Sequence, residues 1–111
     1  MDTLFFTEEH EMLQAMVREF AKNEVEPVAR ELDKTGEFPS ELVARMGELG
    51  LMGIPVPEEY GGGGFDTVAY AMTVLELARV DASVAITMAA HTSLGTMPIV
   101  LSGSEAQKQK Y

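Results

Sequence analysis

Apolar residues recur every three to four positions along most of this chain, the spacing of helices that bury one face. Leu13, Met16, Val17, Phe20 and Ala21 share one side of a first segment, with Arg18, Glu19, Lys22 and Asn23 between them. Thr7 is placed to cap that helix, and Glu8 and Glu9 suit the positive end of its dipole. Pro27 predicts a kink or a restart. Val28, Ala29 and Leu32 continue the apolar side until Gly36 ends it. A second helix is expected from about Pro39 to Leu49, with Gly50 as a left-handed stop. "LMGIPVPEEYGGGG" interrupts the pattern and reads as a loop, extended near Ile54 to Val56. Asp66 is expected to cap a third helix whose inner face is Val68, Ala71, Met72, Leu75 and Ala78. Asp81 is expected to cap a fourth, opening at Ala82. After Gly103, Ser104 and Gln107 form a capping-box pattern. The tail Glu105 to Tyr111 is too short to hold itself helical in water, so the chain reads as cut from something longer. No segment reads as a strand. The expected fold class is all-α: a small bundle of four to five main helices in one domain, residues 1–111.

Composition narrows the function classes. The 111 residues are 46% apolar, enough for a real core. The absence of cysteine excludes disulfides, thiolate chemistry and cysteine-based zinc sites. The net charge of −10 is concentrated in residues 1–60, with 14 acids and 5 bases against 4 and 3 in the remainder. An acidic surface repels phosphate backbones, so no nucleic-acid partner is expected. The opening "MDTLFFTEEHEM" has no basic region, apolar core or cleavage pattern of a signal peptide, and a cytoplasmic location is expected.

Three stretches invite a chemical reading. "YGGGGFD" lacks the preceding strand and Gly-Lys-Ser/Thr ending of a phosphate loop, and Asp66 puts negative charge where a phosphate would sit. A tightly turned or flexible loop is the plainer account. Residues 82–103 carry no formal charge and are long enough as a helix to cross a bilayer. Ser83, Thr87, His91, Thr92, Ser93, Thr96, Gly95 and Pro98 argue against a span, as does the lack of an aromatic belt. A helix buried on most sides of a larger soluble protein fits better, with a break near Gly95 and Pro98. On it, Thr87, His91, Leu94 and Pro98 follow at three-to-four spacing with Ala90 beside them, a stripe that mixes small, polar and apolar groups. Such a stripe suits either helix packing or a pocket wall. The two histidines, His10 and His91, have no ligand spacing for a metal and no triad partners. His91 reads as a hydrogen-bonded interior or boundary residue. Glu76, Arg79 and Asp81 read as ion-pair and capping groups.

Four stretches, in order, resemble the N-terminal helical domain of the acyl-CoA dehydrogenases. They are "FTEEHEMLQAMVREFAKNEVEP", "FPSELVARMGELGLMGIPVPEEYGGGG", "YAMTVLELARVDASVAI" and "HTSLGTMPIVLSGSEAQKQKY". The resemblance covers essentially the whole chain. It implies an FAD-dependent enzyme that oxidises the Cα–Cβ bond of an acyl thioester, with a middle β domain and a C-terminal helical domain following this one. It also implies an electron-transfer flavoprotein as electron acceptor and a homo-oligomer, commonly a tetramer. The base and the main FAD contacts belong to the other domains, so no catalytic and no cofactor-binding residue is expected here. By the same resemblance the helix from Ala82 to Leu94 lies along the far end of the acyl chain. Positions matching Ala90 and Leu94 set pocket depth, with Thr87, His91 and Pro98 on the same wall. A short- or medium-chain dehydrogenase is expected. The alternatives are a related flavin monooxygenase, an acyl-CoA oxidase, or a stand-alone helical interaction module.

Overall fold

The computed structural model describes residues 6–111, so part of the leader reading above falls on residues outside it. Among the described residues every regular element is helical and no strand occurs. Seven α-helices follow in order: α1 (Glu8–Phe20), α2 (Glu26–Thr35), α3 (Ser40–Glu48), α4 (Thr67–Ala78), α5 (Ala82–Ala90), α6 (Met97–Ser102) and α7 (Glu105–Lys110).

Two of the joins are not breaks. Residues Ala21–Val25 form a π-helical turn between α1 and α2, and His91–Thr96 form another between α5 and α6. The chain therefore runs as two long helices, each with one widened turn. The cause is the same in both. Glu26 donates its N–H to the Ala21 carbonyl, and Met97 donates to the Thr92 carbonyl, each five residues back. The next residue in each case is proline, at 27 and 98. A proline has no N–H to give, and its ring presses on the carbonyl four residues back; a widened turn relieves both problems without ending the helix. The kink expected at Pro27 and the break expected near Pro98 are thus both π turns.

The helix ends follow local chemistry. The Thr7 hydroxyl accepts from the His10 N–H, and Nδ1 of His10 accepts the Thr7 N–H in return at 2.9 Å, a reciprocal capping box. Asp66 accepts from the Ala69 N–H at 2.8 Å, and Asp81 from the Ser83 N–H at 3.0 Å. Ser104 and Gln107 cap α7 reciprocally. Gly36 and Gly50 sit at φ +70° and +81°, left-handed stops that a residue with a Cβ disfavours.

The core is one cluster. Leu13, Val17 and Phe20 of α1 and Val25 of the first π turn meet Met46 of α3, Leu51 and Ile54 of the loop, Met72 and Leu77 of α4, and Val84 and Met88 of α5. Each large apolar side chain so buried contributes about 1.5–3 kcal/mol. Two polar ties fix α1 against α4. Glu76, with a side chain only 2% exposed, accepts from Gln14 Nε2 at 2.9 Å and Arg18 Nε at 3.0 Å, and Arg79 Nη1 lies 3.6 Å away. The second is at the helix starts. Because His10 Nδ1 accepts from the backbone, its proton sits on Nε2, which donates to Asp66 Oδ1 at 2.9 Å. One imidazole therefore joins the caps of two helices.

The structure corrects two expectations. The inner face of α4 is Ala69, Met72, Thr73, Glu76 and Leu77. Of the anticipated set only Met72 is inside; Val68 and Leu75 are exposed, as are Ala71 and Ala78. This helix is apolar nearly all round, so periodicity does not choose its side, and Thr73 is admitted because its hydroxyl donates to the Ala69 carbonyl. The stretch at Ile54 is not extended either. Leu51–Gly53 is a 3-10 turn, and Ile54 follows in the helical region at φ −51°, ψ −52°. The carbonyls of Gly53, Ile54, Val56 and Pro57 then accept from Gly63, Phe65, Gly64 and Gly62. The glycine run is thus a tightly closed loop. A methyl group at Gly62 would fall on the Val56 carbonyl, and Gly61 and Gly64 have positive φ.

Candidate functional site

The uncharged segment Ala82–Ser102 packs one side inward through Val84, Ala85, Met88 and Thr92. It is long and apolar enough to cross a membrane by length and composition. In this fold its other sides are largely open, with Ser83, Ile86, His91, Leu94, Gly95 and Leu101 exposed. The expectation of burial on most sides is therefore not met within this chain. Ile86 is 67% exposed and Leu94 and Leu101 are each 77% exposed. Exposure of three large apolar groups on one charge-free helix is costly in water unless something covers them.

The anticipated site residues share this helix but not one cavity. Thr87 is half-buried, its hydroxyl donates to the Ser83 carbonyl at 2.8 Å, and it borders a depression of about 220 Å³ with Leu32, Gly36 and Asp81. Ala90 is half-buried at the end of α5. His91 is exposed, with Nε2 3.3 Å from the Thr96 hydroxyl, and is a surface group rather than an interior one. Leu94 points to solvent. Pro98 is exposed and borders a separate depression of about 270 Å³ with Ile99, Ser102 and Tyr111. Sequence reading passed over Ile86, which stands four residues before Ala90; the same 3.6-residue arithmetic, carried one turn back, would have found it.

Two details of the π turn matter for this face. The Tyr70 hydroxyl of α4 donates to the Ala89 carbonyl at 3.0 Å and is 2.8 Å from Ser93 Oγ; with its own proton committed, it accepts from the serine. Thr92 is fully buried, and its Oγ1 is the buried side-chain polar atom left without a partner among the described residues.

The electrostatics lie elsewhere. At the chain's end Tyr60 donates to Glu105 Oε2 at 2.8 Å, and that hydrogen bond to a carboxylate pushes the phenol up to about 12. The Ala69 N–H, then His10, hold Asp66 below the ordinary carboxylate range. Among the described residues no group of three or more His, Asp or Glu is placed to hold a metal ion. The glycine loop is not a fit for a flavin's phosphates. Its inward N–H groups are spent on carbonyls of residues 53–57, and the Asp66 carboxylate occupies the N-terminus of the helix that follows.

Residues 7–111 match the family described as "Acyl-CoA dehydrogenase, N-terminal domain". The chain belongs to the acyl-CoA dehydrogenase family and carries the helical domain that begins its members. It is 50% identical over 105 residues to an acyl-CoA dehydrogenase of Bacillus subtilis, covering 95% of this chain and 28% of that protein. A short-chain-specific acyl-CoA dehydrogenase of Clostridium acetobutylicum gives the same identity and coverage. The chain thus spans 28% of the length of these curated relatives. Among solved structures, butyryl-CoA dehydrogenase from Megasphaera elsdenii superposes with a TM-score of 0.90 at 37% identity, over 100% of this chain and 30% of that one. An acyl-CoA dehydrogenase complexed with FAD from Bacillus anthracis gives 0.89 at 43%, over 96% and 18%. A chain from the structure described as "Electron transferring flavoprotein of Acidaminococcus fermentans: Towards a mechanism of flavin-based electron bifurcation" gives 0.93 at 42%, over 99% and 29%.

Proposed function

We propose that this chain is the N-terminal domain of an FAD-dependent acyl-CoA dehydrogenase and forms one wall of its acyl pocket. In that reaction the α carbon of the thioester loses a proton to a base and the β carbon a hydride to the flavin, leaving a 2-enoyl-CoA. The base and the flavin contacts belong to segments beyond this domain, a middle β domain and a C-terminal helical domain. The observation that carries the pocket role is the exposure of Ile86 and Leu94, with half-buried Ala90 between them along the chain, on a helix without charge. An acyl tail gains about 0.8 kcal/mol for each methylene it buries against such a surface, and it has no charge to be repelled by an acidic domain. The anionic phosphates of coenzyme A are better placed on other domains. Thr87, His91 and Pro98 lie on the same helix, the first two between Ile86 and Leu94 along the chain and the third beyond them. Relatives named for short-chain and butyryl substrates support a short- to medium-chain pocket. The same kinship supports an electron-transfer flavoprotein as partner and a homo-oligomeric, commonly tetrameric, full-length enzyme.

The test is kcat/KM across straight acyl-CoA lengths in the full-length protein. Ala90→Phe should penalise long substrates more than short ones, because a clash acts only on atoms that reach it; about 10–200-fold in discrimination is the scale of one methylene of pocket. Leu94→Ala should shift preference toward longer chains. Since Leu94 is 77% exposed in this chain, that substitution should cost the domain no more than about 0.5 kcal/mol. Equal losses at every length would mean that these residues pack against protein and that the pocket lies elsewhere.

A further inference from the structure

The π turn begins at His91, immediately after Ala90, and Leu94 lies inside it. A turn widened by one residue rotates every later side chain by about 100° relative to an unbroken α-helix. Where the widening sits therefore decides how Leu94 is aimed relative to Ile86 and Ala90. Pro98 favours a widened turn upstream, since it removes one donor and crowds one carbonyl, but it does not by itself set where that turn starts. Something must hold the upstream edge.

Thr92 anchors the inner side through burial, yet among the described residues its hydroxyl has no hydrogen-bond partner to give a directional hold. His91 and Thr96 contact each other across the outer side, within the turn itself. The 3-10 turn Leu51–Gly53 packs against the turn, and among the described residues the side-chain hydrogen bonds that reach it from another helix come from Tyr70. Its oxygen gives a hydrogen to the Ala89 carbonyl, the last but one residue of α5, and takes one from Ser93 within the turn. A single phenol oxygen thus bridges regular and widened helix. The ring below it is half-buried against the core cluster, so the oxygen is held from beneath.

We propose that Tyr70, with Ser93, is a positioning residue that sets the register of the π turn and so the depth of the acyl pocket. The inference rests on the pocket-wall reading above. Tyr70 touches no substrate in this scheme; it acts through Ala90 and Leu94, each of which directly follows a residue that it hydrogen-bonds, Ala89 and Ser93. Tyr70→Phe keeps the ring and its packing and removes the clamp alone. Ser93→Ala removes the other half, and Ser93→Thr keeps a hydroxyl in place.

The experiment uses the full-length protein, with kcat/KM measured across straight acyl-CoA lengths and amide hydrogen exchange measured over residues 82–102. Tyr70→Phe should change the long-to-short ratio of kcat/KM by about 2–10-fold, the equivalent of one ordinary hydrogen bond, chiefly through KM of the longer substrates. Exchange within residues 91–96 should quicken while residues 84–88 keep their rate. Ser93→Ala should reproduce this pattern, Ser93→Thr should restore the wild-type profile, and the double variant should add little to either single one. Ala90→Phe, measured beside them, separates the two ideas. If it discriminates by length while Tyr70→Phe leaves the profile unchanged, the positioning role is overturned and the pocket wall stands. If Ala90→Phe costs all lengths equally, the pocket wall falls and this inference falls with it.

Discussion

Replacing the half-exposed Arg18 should destabilise this domain more than replacing its buried partner Glu76. The Glu76 side chain is 2% exposed and that of Arg18 is 49% exposed. Removing Arg18, as in Arg18→Met, leaves a carboxylate in the interface between α1 and α4 with only Gln14 at 2.9 Å and the distant Arg79 at 3.6 Å. An uncompensated buried charge costs about 3–5 kcal/mol, and the surviving Arg79 contact places the loss near the lower figure, about 3 kcal/mol. Glu76→Gln removes the buried charge instead. The two arginine heads then turn to water, and the loss is the net worth of a charge-assisted hydrogen bond, about 1.5–2 kcal/mol. The pH dependence is sharper still. Burial pushes the Glu76 carboxyl up, but the hydrogen bonds from Arg18 and Gln14 outweigh it and leave it below its ordinary value. A lowered pKa gives stability that is present above the unfolded value of about 4.3 and is lost as pH falls through the folded one. Removing Arg18 takes away both its hydrogen bond and its charge, so the pKa rises, and the sign reverses once burial outweighs the remaining Gln14 and Arg79 contacts. The Arg18→Met domain should regain stability as pH falls from 7 toward 5, because protonation removes the stranded charge. Urea unfolding followed by helical circular dichroism at both pH values reads this directly. A larger loss for Glu76→Gln than for Arg18→Met at pH 7, or an Arg18→Met deficit that is the same at both, would refute the reasoning.

Two further substitutions probe the fold. Thr92→Val replaces the fully buried, unpartnered hydroxyl with a methyl of the same shape and should stabilise the chain by about 1 kcal/mol, raising Tm by about 4–8 °C; a lower Tm would mean that the hydroxyl has a partner, such as water. His10→Leu breaks the capping box of α1 and the link to Asp66 together and should cost at least the worth of an N-cap, about 1 kcal/mol, whereas His10→Gln keeps the box, as Gln107 does in α7. Equal losses for the two in thermal unfolding would show that the cap at Thr7 contributes nothing.

What could be read in the sequence was what is decided locally. Thr7, Asp66, Asp81 and Ser104 cap their helices, and Gly36 and Gly50 stop theirs, because each acts on backbone groups within a few residues. The side that α4 buries was not legible. Its choice depends on Glu76 finding Gln14 and Arg18 some sixty residues away, while Val68 and Leu75 are apolar enough to suit either side. The π turns were half-legible: Pro27 and Pro98 announced a disturbance, but its form depends on how each helix is held by neighbours. The same applies to the candidate site. Spacing found Ala90, His91 and Leu94 on one helix, yet counting at three and four residues assumes an unbroken α-helix, and the widened turn lies among these residues. Tyr70 carries no motif. Its bearing on that face comes only from the packing of α4 on α5, which brings its hydroxyl to Ala89 and Ser93.

The place of the acyl chain's far end decides whether this domain forms the pocket wall. An acyl-CoA carrying a photoreactive diazirine at its ω end, irradiated when bound to the full-length protein, would report this by the residues it labels. Labelling centred on Ile86, Ala90 and Leu94, and competed away by the unmodified acyl-CoA of the same length, is the predicted result. Competed labelling confined to residues beyond this domain, or on α1 to α3 with residues 82–102 unmarked, would contradict it.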